Sequence, residues 1–255
     1  MGITSARTAP DVRTMRRALE VPADSETFAE DELVGLPDPV ARWFRASIAP
    51  GVPLARAVHL TMGGHIRLGG RWWPFRATET LAPGVGFVWP ASVRGVIRGS
   101  DHFFDGRGAL DWRLLGRKVV VHADGPDVSR SAAGRGAAES IWAPTALLPR
   151  FGPTWRAIDA RHLVVNCAMG EERVDVHLHV DGDGRLLRFW FERWGDPDES
   201  GRWRRVPFGG DALGWATFDG VTIANEGRIG WWYGSPRFAE GEFFRYEITD
   251  LELVR

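Results

Sequence analysis

The chain has 255 residues, 44% of them apolar and 25% charged, which is ordinary globular composition and enough length for a full hydrophobic core. Lys and Arg number 32 against 33 Asp and Glu, so the formal charge of -1 gives no bulk electrostatic support to a nucleic-acid or anionic-membrane partner. The single cysteine, Cys167, excludes an internal disulfide and any cysteine-based zinc or iron–sulfur centre. Its apolar surroundings, His162 to Met169, make it a core residue. The first residues lack the basic, apolar, small-residue order of a signal peptide, and no apolar run is long enough to span a bilayer, so the expectation is a soluble, cytoplasmic protein. Two counts stand out: 13 tryptophans, and Lys118 as the one lysine.

In chain order, Asp11 to Leu19 predicts a short polar-amphipathic helix, and the acidic stretch Asp24 to Glu32 has little to bury. Leu36 to Ile48 predicts a second helix, with Pro39 in its first turn and Val40, Phe44 and Ile48 at four-residue spacing. From Ala55 the pattern changes to period two. Strands are predicted at Ala57–Leu68, Arg71–Leu81, Gly86–Val93, Val96–Phe104, Ala109–Leu115 and Lys118–Ala123, separated by Gly-rich turns. One helix interrupts, from about Asp127 to Ile141, with Asp127 or Ser129 as its N-cap and Pro144 ending it. Strands resume at Trp155–Ala160, His162–Met169, Arg173–Val180, Arg185–Trp194, Ala212–Phe218, Val221–Tyr233 and Glu242–Leu253. Their spacing argues for an antiparallel meander without internal repeats. The first ten residues and Gly195–Gly201 are candidates for disorder.

Several blocks carry a resemblance. They are Leu36-Pro-x-Pro-Val, Trp72-x-Pro-Phe75, Gly86-Phe-Val-Trp89, Asp101 with Gly106-x-Gly108, Asp124-Gly-Pro126, Arg135 to Pro149, Trp155, and Phe218-Asp-Gly220 with Glu226. In this order they resemble a widespread bacterial family of unknown function, from Leu36 to the C-terminus; Glu139-x-x-Trp-x-Pro-Thr-Ala-Leu-Leu-Pro149 is the most specific part. The resemblance implies a lipoprotein-carrier-like half-barrel. Proteins of that shape include periplasmic lipid carriers and a cofactor-independent enzyme of violacein biosynthesis, so it implies a cavity but no reaction. Glu79 departs from the pattern, which has glutamine there. The fold class expected is α+β, mostly β: a curled antiparallel sheet with N-terminal helices and the mid-chain helix over its concave face. Residues 1–35 form a helical, partly disordered extension, and 36–255 a single domain.

Candidate chemistry centres on Arg135, Glu139 and Trp142, whose spacing aligns them on one helix face among small residues. A carboxylate beside an indole in a dry cleft suits a general acid; a buried ion pair fixing helix to sheet is the plainer reading. Asp101, near Phe103, is a second acid, or else part of a turn. Glu79 shares a strand face with Trp73 and Phe75 and matters only if that face is concave. Glu226, in phase with Arg228 and Trp232, is a possible partner for Glu139, or half of a cross-strand ion pair. Asp175, His177 and His179 alternate on one face but lack a third matched ligand, so no metal is expected. Phosphate loops and nucleophile elbows are missing, and no cofactor is expected.

Trp72, Trp89, Trp142 and Trp155 belong to the family pattern and are read as packing. Trp73, Trp112, Trp190, Trp194 and Trp215 are additional, and their surplus suggests an aromatic-lined pocket. The expected function is binding of a hydrophobic small molecule, by a cofactor-independent enzyme of secondary metabolism that cyclises, isomerises or dehydrates its substrate. Glu139, Glu79, Asp101 and Glu226 would be catalytic. Trp73, Phe75, Trp89, Phe103, Arg135, Trp142, Trp190 and Trp232 would bind substrate. The alternatives are a non-catalytic cytosolic lipid or isoprenoid carrier and a structural partner-binding module.

Overall fold

The computed structural model describes residues 10–23 and 25–255. Thirteen strands form one antiparallel sheet. The first half comprises β1 (Val58–Leu68), β2 (Arg71–Ala82), β3 (Gly86–Val93), β4 (Ile97–Phe104), β5 (Arg107–Leu114) and β6 (Lys118–Ala123). The second comprises β7 (Thr154–Ala157), β8 (His162–Met169), β9 (Glu172–Val180), β10 (Leu186–Gly195), β11 (Arg204–Phe218), β12 (Val221–Trp231) and β13 (Glu242–Leu253). Each half is a meander, and the halves join where β1 pairs with β13. Strands β6 and β7 therefore occupy opposite edges. The chain between them has to cross the open side of the curled sheet.

That crossing is the helix α3 (Pro126–Glu139), which packs on β3, β4 and β5 from one half and on β8, β9 and β10 from the other. Pro126 sits at its first position, where a missing N–H costs nothing, and Gly125 is the N-cap in place of Asp127 or Ser129. Ser129 instead accepts the Gly108 N–H at 2.9 Å and donates to the Gly125 carbonyl, stapling the helix to β5. The helix ends at Glu139, and the family block continues as buried 3-10 turns at Ser140–Trp142 and Pro144–Leu147. Thr145, wholly buried, donates from Oγ1 to the Ala55 carbonyl at 2.7 Å.

The strand faces sort by burial. Phe75, Ala77, Glu79 and Leu81 of β2, and Phe87, Trp89, Ala91 and Val93 of β3, point to the concave side. Of the N-terminal helices, α2 (Asp38–Ser47) joins this core through Val40, Trp43 and Phe44, resting on β7, β8 and β12. Helix α1 (Val12–Leu19) lies on the convex back, where Met15 and Leu19 form a separate cluster with Ala57, Ala82 and Val88. Phe28 and Leu33 from the acidic stretch also enter the main core. Asp24 and the first nine residues, part of the segment expected to be disordered, lie outside the described residues.

Local differences from the sequence reading have clear causes. β11 starts at Arg204, well before Ala212, because Pro207, Gly209 and Gly210 disguise its first half. Gly195–Gly201 is a turn held by Asp196, whose carboxylate accepts the Ser200 N–H at 3.0 Å and the Gly201 N–H at 2.7 Å. β7 is cut short because Asp159 accepts the Arg161 and His162 N–H groups. Cys167 is buried as expected, and burial pushes its thiol up to about 12.

Within α3, close approach to the sheet requires glycine at one position. A Cβ on Gly136 would lie 2.8 Å from the Phe87 ring and 2.9 Å from the Met169 methyl, whereas one on Gly134 would make an ordinary contact with Phe191 at 3.6 Å. Overpacking costs about 1–3 kcal/mol, against a helix-propensity gain of about 1 kcal/mol for alanine over glycine. Gly136→Ala is expected to lower the thermal midpoint by about 2–6 °C, while Gly134→Ala leaves it unchanged or raises it. Equal effects in calorimetry would show that the helix does not sit this close.

Candidate functional site

A cavity of about 210 Å³ lies between α3 and the sheet. Its apolar wall includes Ile66, Trp89, Leu110, Phe189, Phe208 and Trp231, with Ala138, Ile141 and Trp142 from the helix and the turn after it. Asp101, Arg135, Glu139 and Arg193 supply its charged lining. Both halves of the sheet contribute, so the cavity exists only because α3 spans them.

Arg135 is the hub of the polar part. Its Nε donates to Glu139 Oε1 at 2.7 Å and its Nη1 to Asp101 Oδ2 at 2.8 Å. The side chains of this triad keep only 14–16% of their surface exposed. Trp112 Nε1 donates to the other Asp101 oxygen at 2.8 Å, so Asp101 on β4 is a fixed anchor and no part of a turn. The turn is made by Asp105 and Gly106, both at positive φ. The Arg135 guanidinium also lies 4.8 Å from the Phe87 ring centre and 5.0 Å from that of Trp89. Burial works against its charge, but the carboxylates of Glu139 and Asp101 more than compensate and hold the guanidinium well above its ordinary value.

Glu79 occupies the concave face and is 1% exposed. Its carboxyl meets that of Glu139 behind the cavity wall. As carboxylates, neither Glu79 oxygen nor Glu139 Oε2 has a hydrogen-bond donor. A proton supplies one. Burial, then the negative charge of Glu139, push Glu79 well above the usual carboxylate range, and Arg135 only partly opposes them. The dyad that sequence sought between Glu139 and Glu226 is thus formed with Glu79, while Glu226 is exposed on the convex face opposite Glu247.

The remaining candidates separate by strand phase. Trp89 and Trp142 line the cavity. Phe75 stacks on Phe244 behind it at 4.9 Å, and Phe103 is core next to Gly170. Trp73 lies at the rim under Arg94, 4.4 Å from the guanidinium carbon. Trp190 is on the convex face, stacked on His177 at 5.1 Å, and does not reach the cavity. Trp232 follows the end of β12 with φ +56° and carries Arg237 at 3.9 Å. Its neighbour Trp231 is the indole that enters, over Gly195, where a Cβ would lie 2.2 Å from the ring. None of the five additional tryptophans named above lines the pocket. Trp194, with Arg130 at 4.1 Å, and Trp215, bonded to the Leu186 carbonyl at 2.8 Å, sit outside it as well. Sequence reasoning missed Trp231, Phe208 and Arg193; alternation with Phe189 and Phe191 was the available signal for Arg193.

The chain belongs to a family of unknown function, DUF6544, whose model matches residues 26–243. No curated protein matches it. Among solved structures it is similar to a DUF1329 family protein from Desulfovibrio piger, with 12% identity, TM-score 0.45, and 85% of this chain and 90% of that one covered. A putative outer membrane lipoprotein-sorting protein domain from Vibrio parahaemolyticus gives 10% identity and TM-score 0.43 over 84% and 90% of the two chains. A LolA superfamily protein from Nitrosomonas europaea gives 10% and 0.39 over 78% and 86%. At these values the likeness carries no argument about ligand or activity. Among the described residues no helix is long and apolar enough to cross a membrane.

The state of Glu79 has a pH signature. A carboxyl raised in the folded state keeps its proton while the unfolded chain loses it above about 4.5, so its contribution to stability is full below that pH and is lost as pH rises towards the folded value. Glu79→Gln, which donates to Glu139 without a proton to lose, is expected to gain on the wild type as pH rises, by up to about 1.4 kcal/mol per pH unit. Melting curves across that range check this; a pH-independent difference would mean that Glu79 is ionised.

Proposed function

We propose that this protein binds a hydrophobic small molecule in the cavity beneath α3, as a binding or carrier protein without chemistry of its own. The carrying observation is the wall itself, in which Trp89, Phe189, Phe208 and Trp231 surround a partly enclosed space whose charged groups are Asp101, Arg135, Glu139 and Arg193. Burial of an apolar ligand there removes surface from water on both partners, worth about 25 cal/mol per Å². The volume exceeds the roughly 150 Å³ of a cavity that takes up benzene, so a bicyclic ring or short chain fits.

An enzymatic reading rests on the carboxyl pair of Glu79 and Glu139, and two observations favour binding over it. Glu79 does not line the cavity, and Glu139 turns Oε1 to Arg135 while Oε2 is closed off beside Glu79. A general acid has to present its proton to the reacting atom, whereas the proton of this pair lies between Glu79 and Glu139 Oε2 and the other Glu139 oxygen is taken by Arg135. The role of the pair is to tie α3 to β2.

Titration with 8-bromooctan-1-ol, whose bromine quenches indoles on contact, tests binding. Saturable quenching of tryptophan emission is expected for the wild type. Ala138→Leu, which pushes a larger side chain into the cavity from α3, is expected to weaken binding at least tenfold, about 1.4 kcal/mol, while melting cooperatively. Non-saturating quenching, equal in the two proteins, would contradict the proposal.

A further inference from the structure

One cation in the cavity wall has no anion. Arg193 leaves β10 in phase with Phe189 and Phe191, so its side chain enters the concave side. Its guanidinium carbon stands 4.6 Å from the Phe208 ring centre and 5.0 Å from that of Trp231. Nε donates to the Ser131 carbonyl on α3 at 3.3 Å. Among the described residues no carboxylate lies within ion-pair distance of Arg193, and its two Nη groups have no acceptor. The negative charges of Glu139 and Asp101 are felt there, but both carboxylates are turned to Arg135. Burial, then repulsion from Arg135, push Arg193 down to about 9, so it is charged at neutral pH.

A guanidinium is a fork of donors matched to a planar oxyanion, and aromatic rings attract its charge but accept none of its in-plane N–H bonds as a carboxylate does. Phe208 and Trp231, with ring planes 76° apart, flank the guanidinium carbon without supplying an acceptor, which leaves the Nη groups for a ligand in a cavity that Arg193 itself lines. We propose that the ligand carries a carboxylate at one end of an apolar body, and that Arg193 receives it through its Nη groups. This rests on the cavity being a hydrophobic small-molecule site. A monoanion suits the position better than a phosphate, because a dianion would meet one free cation with Asp101 and Glu139 close by. The apolar body then lies against Phe189, Ile229 and Trp231.

Calorimetric titration of the full chain with 1-naphthoate, 1-naphthylmethanol and 1-naphthyl phosphate tests this. The acid is expected to bind the wild type about ten- to a hundredfold more tightly than the alcohol, the range for a hydrogen bond to a charged group, and more tightly than the phosphate. Arg193→Gln is expected to abolish that preference, by weakening the acid about ten- to a hundredfold more than the alcohol, in a protein that still melts cooperatively. Arg193→Lys keeps part of the preference. Equal binding of acid and alcohol by the wild type, a preference that survives Arg193→Gln, or tighter binding of the phosphate would each overturn the proposal and leave the cavity reading intact. Failure of the wild type to bind either the acid or the alcohol would overturn both.

Discussion

The antiparallel order of the sheet imposes one constraint on everything else: strands β6 and β7 lie at opposite edges, so the chain between them has to cross the open side. A segment that crosses a curved apolar face needs its own backbone hydrogen bonds and a surface thin enough to sink in. A helix provides the first. The run Ala132-Ala-Gly-Arg-Gly-Ala-Ala138 provides the second, and within it Arg135 is the one long side chain. It reaches β4 at Asp101 and turns back on Glu139 in its own helix, so the ion triad fixes the height and rotation of α3 over the sheet. The cavity is what remains between this clamp and the two halves of the sheet.

The charges inside this layer form two unlike sets. Arg135 is matched by two carboxylates within hydrogen-bond distance, and Glu79 behind them is held neutral by burial and by the charge beside it. That set is closed, and breaking it leaves an uncompensated ion in a desolvated place. Arg193 belongs to the other set. It has aromatic faces and one backbone carbonyl but no carboxylate, and it borders the cavity directly. The cavity wall thus carries both a closed ion network, backed by Glu79, and a cation without a carboxylate.

Much of the fold was legible because period-two alternation survives in most strands, and the burial of Val174, Val176, Leu178 and Val180 follows it directly. The grouping of Arg135, Glu139 and Trp142 was also legible, since it depends on local helix geometry. What alternation alone does not show is which face is concave. Glu79 and Glu226 each had a phase, yet only the assembled sheet turns one inwards and the other out. Trp231 and Trp232 illustrate the same limit: adjacent indoles with opposite fates, separated by where β12 ends. The tryptophan surplus misled for another reason. Several indoles outside the pocket are covered by arginines, as Trp73 is by Arg94 at 4.4 Å and Trp194 by Arg130 at 4.1 Å, so in a chain with one lysine the Trp and Arg excesses answer each other. The pocket uses Trp89 and Trp142 of the family pattern, together with Trp231.

The central claim is that an apolar molecule resides between α3 and the sheet. A crystal structure of the complex with 8-bromooctan-1-ol, phased so that bromine is located by its anomalous signal, addresses it most directly. The account predicts one dominant bromine peak inside the cavity, in contact with Phe208 or Trp231. Bromine confined to the outer surface, or to the cleft beside Gly106 and Gly170, with the space under α3 unoccupied, would contradict it.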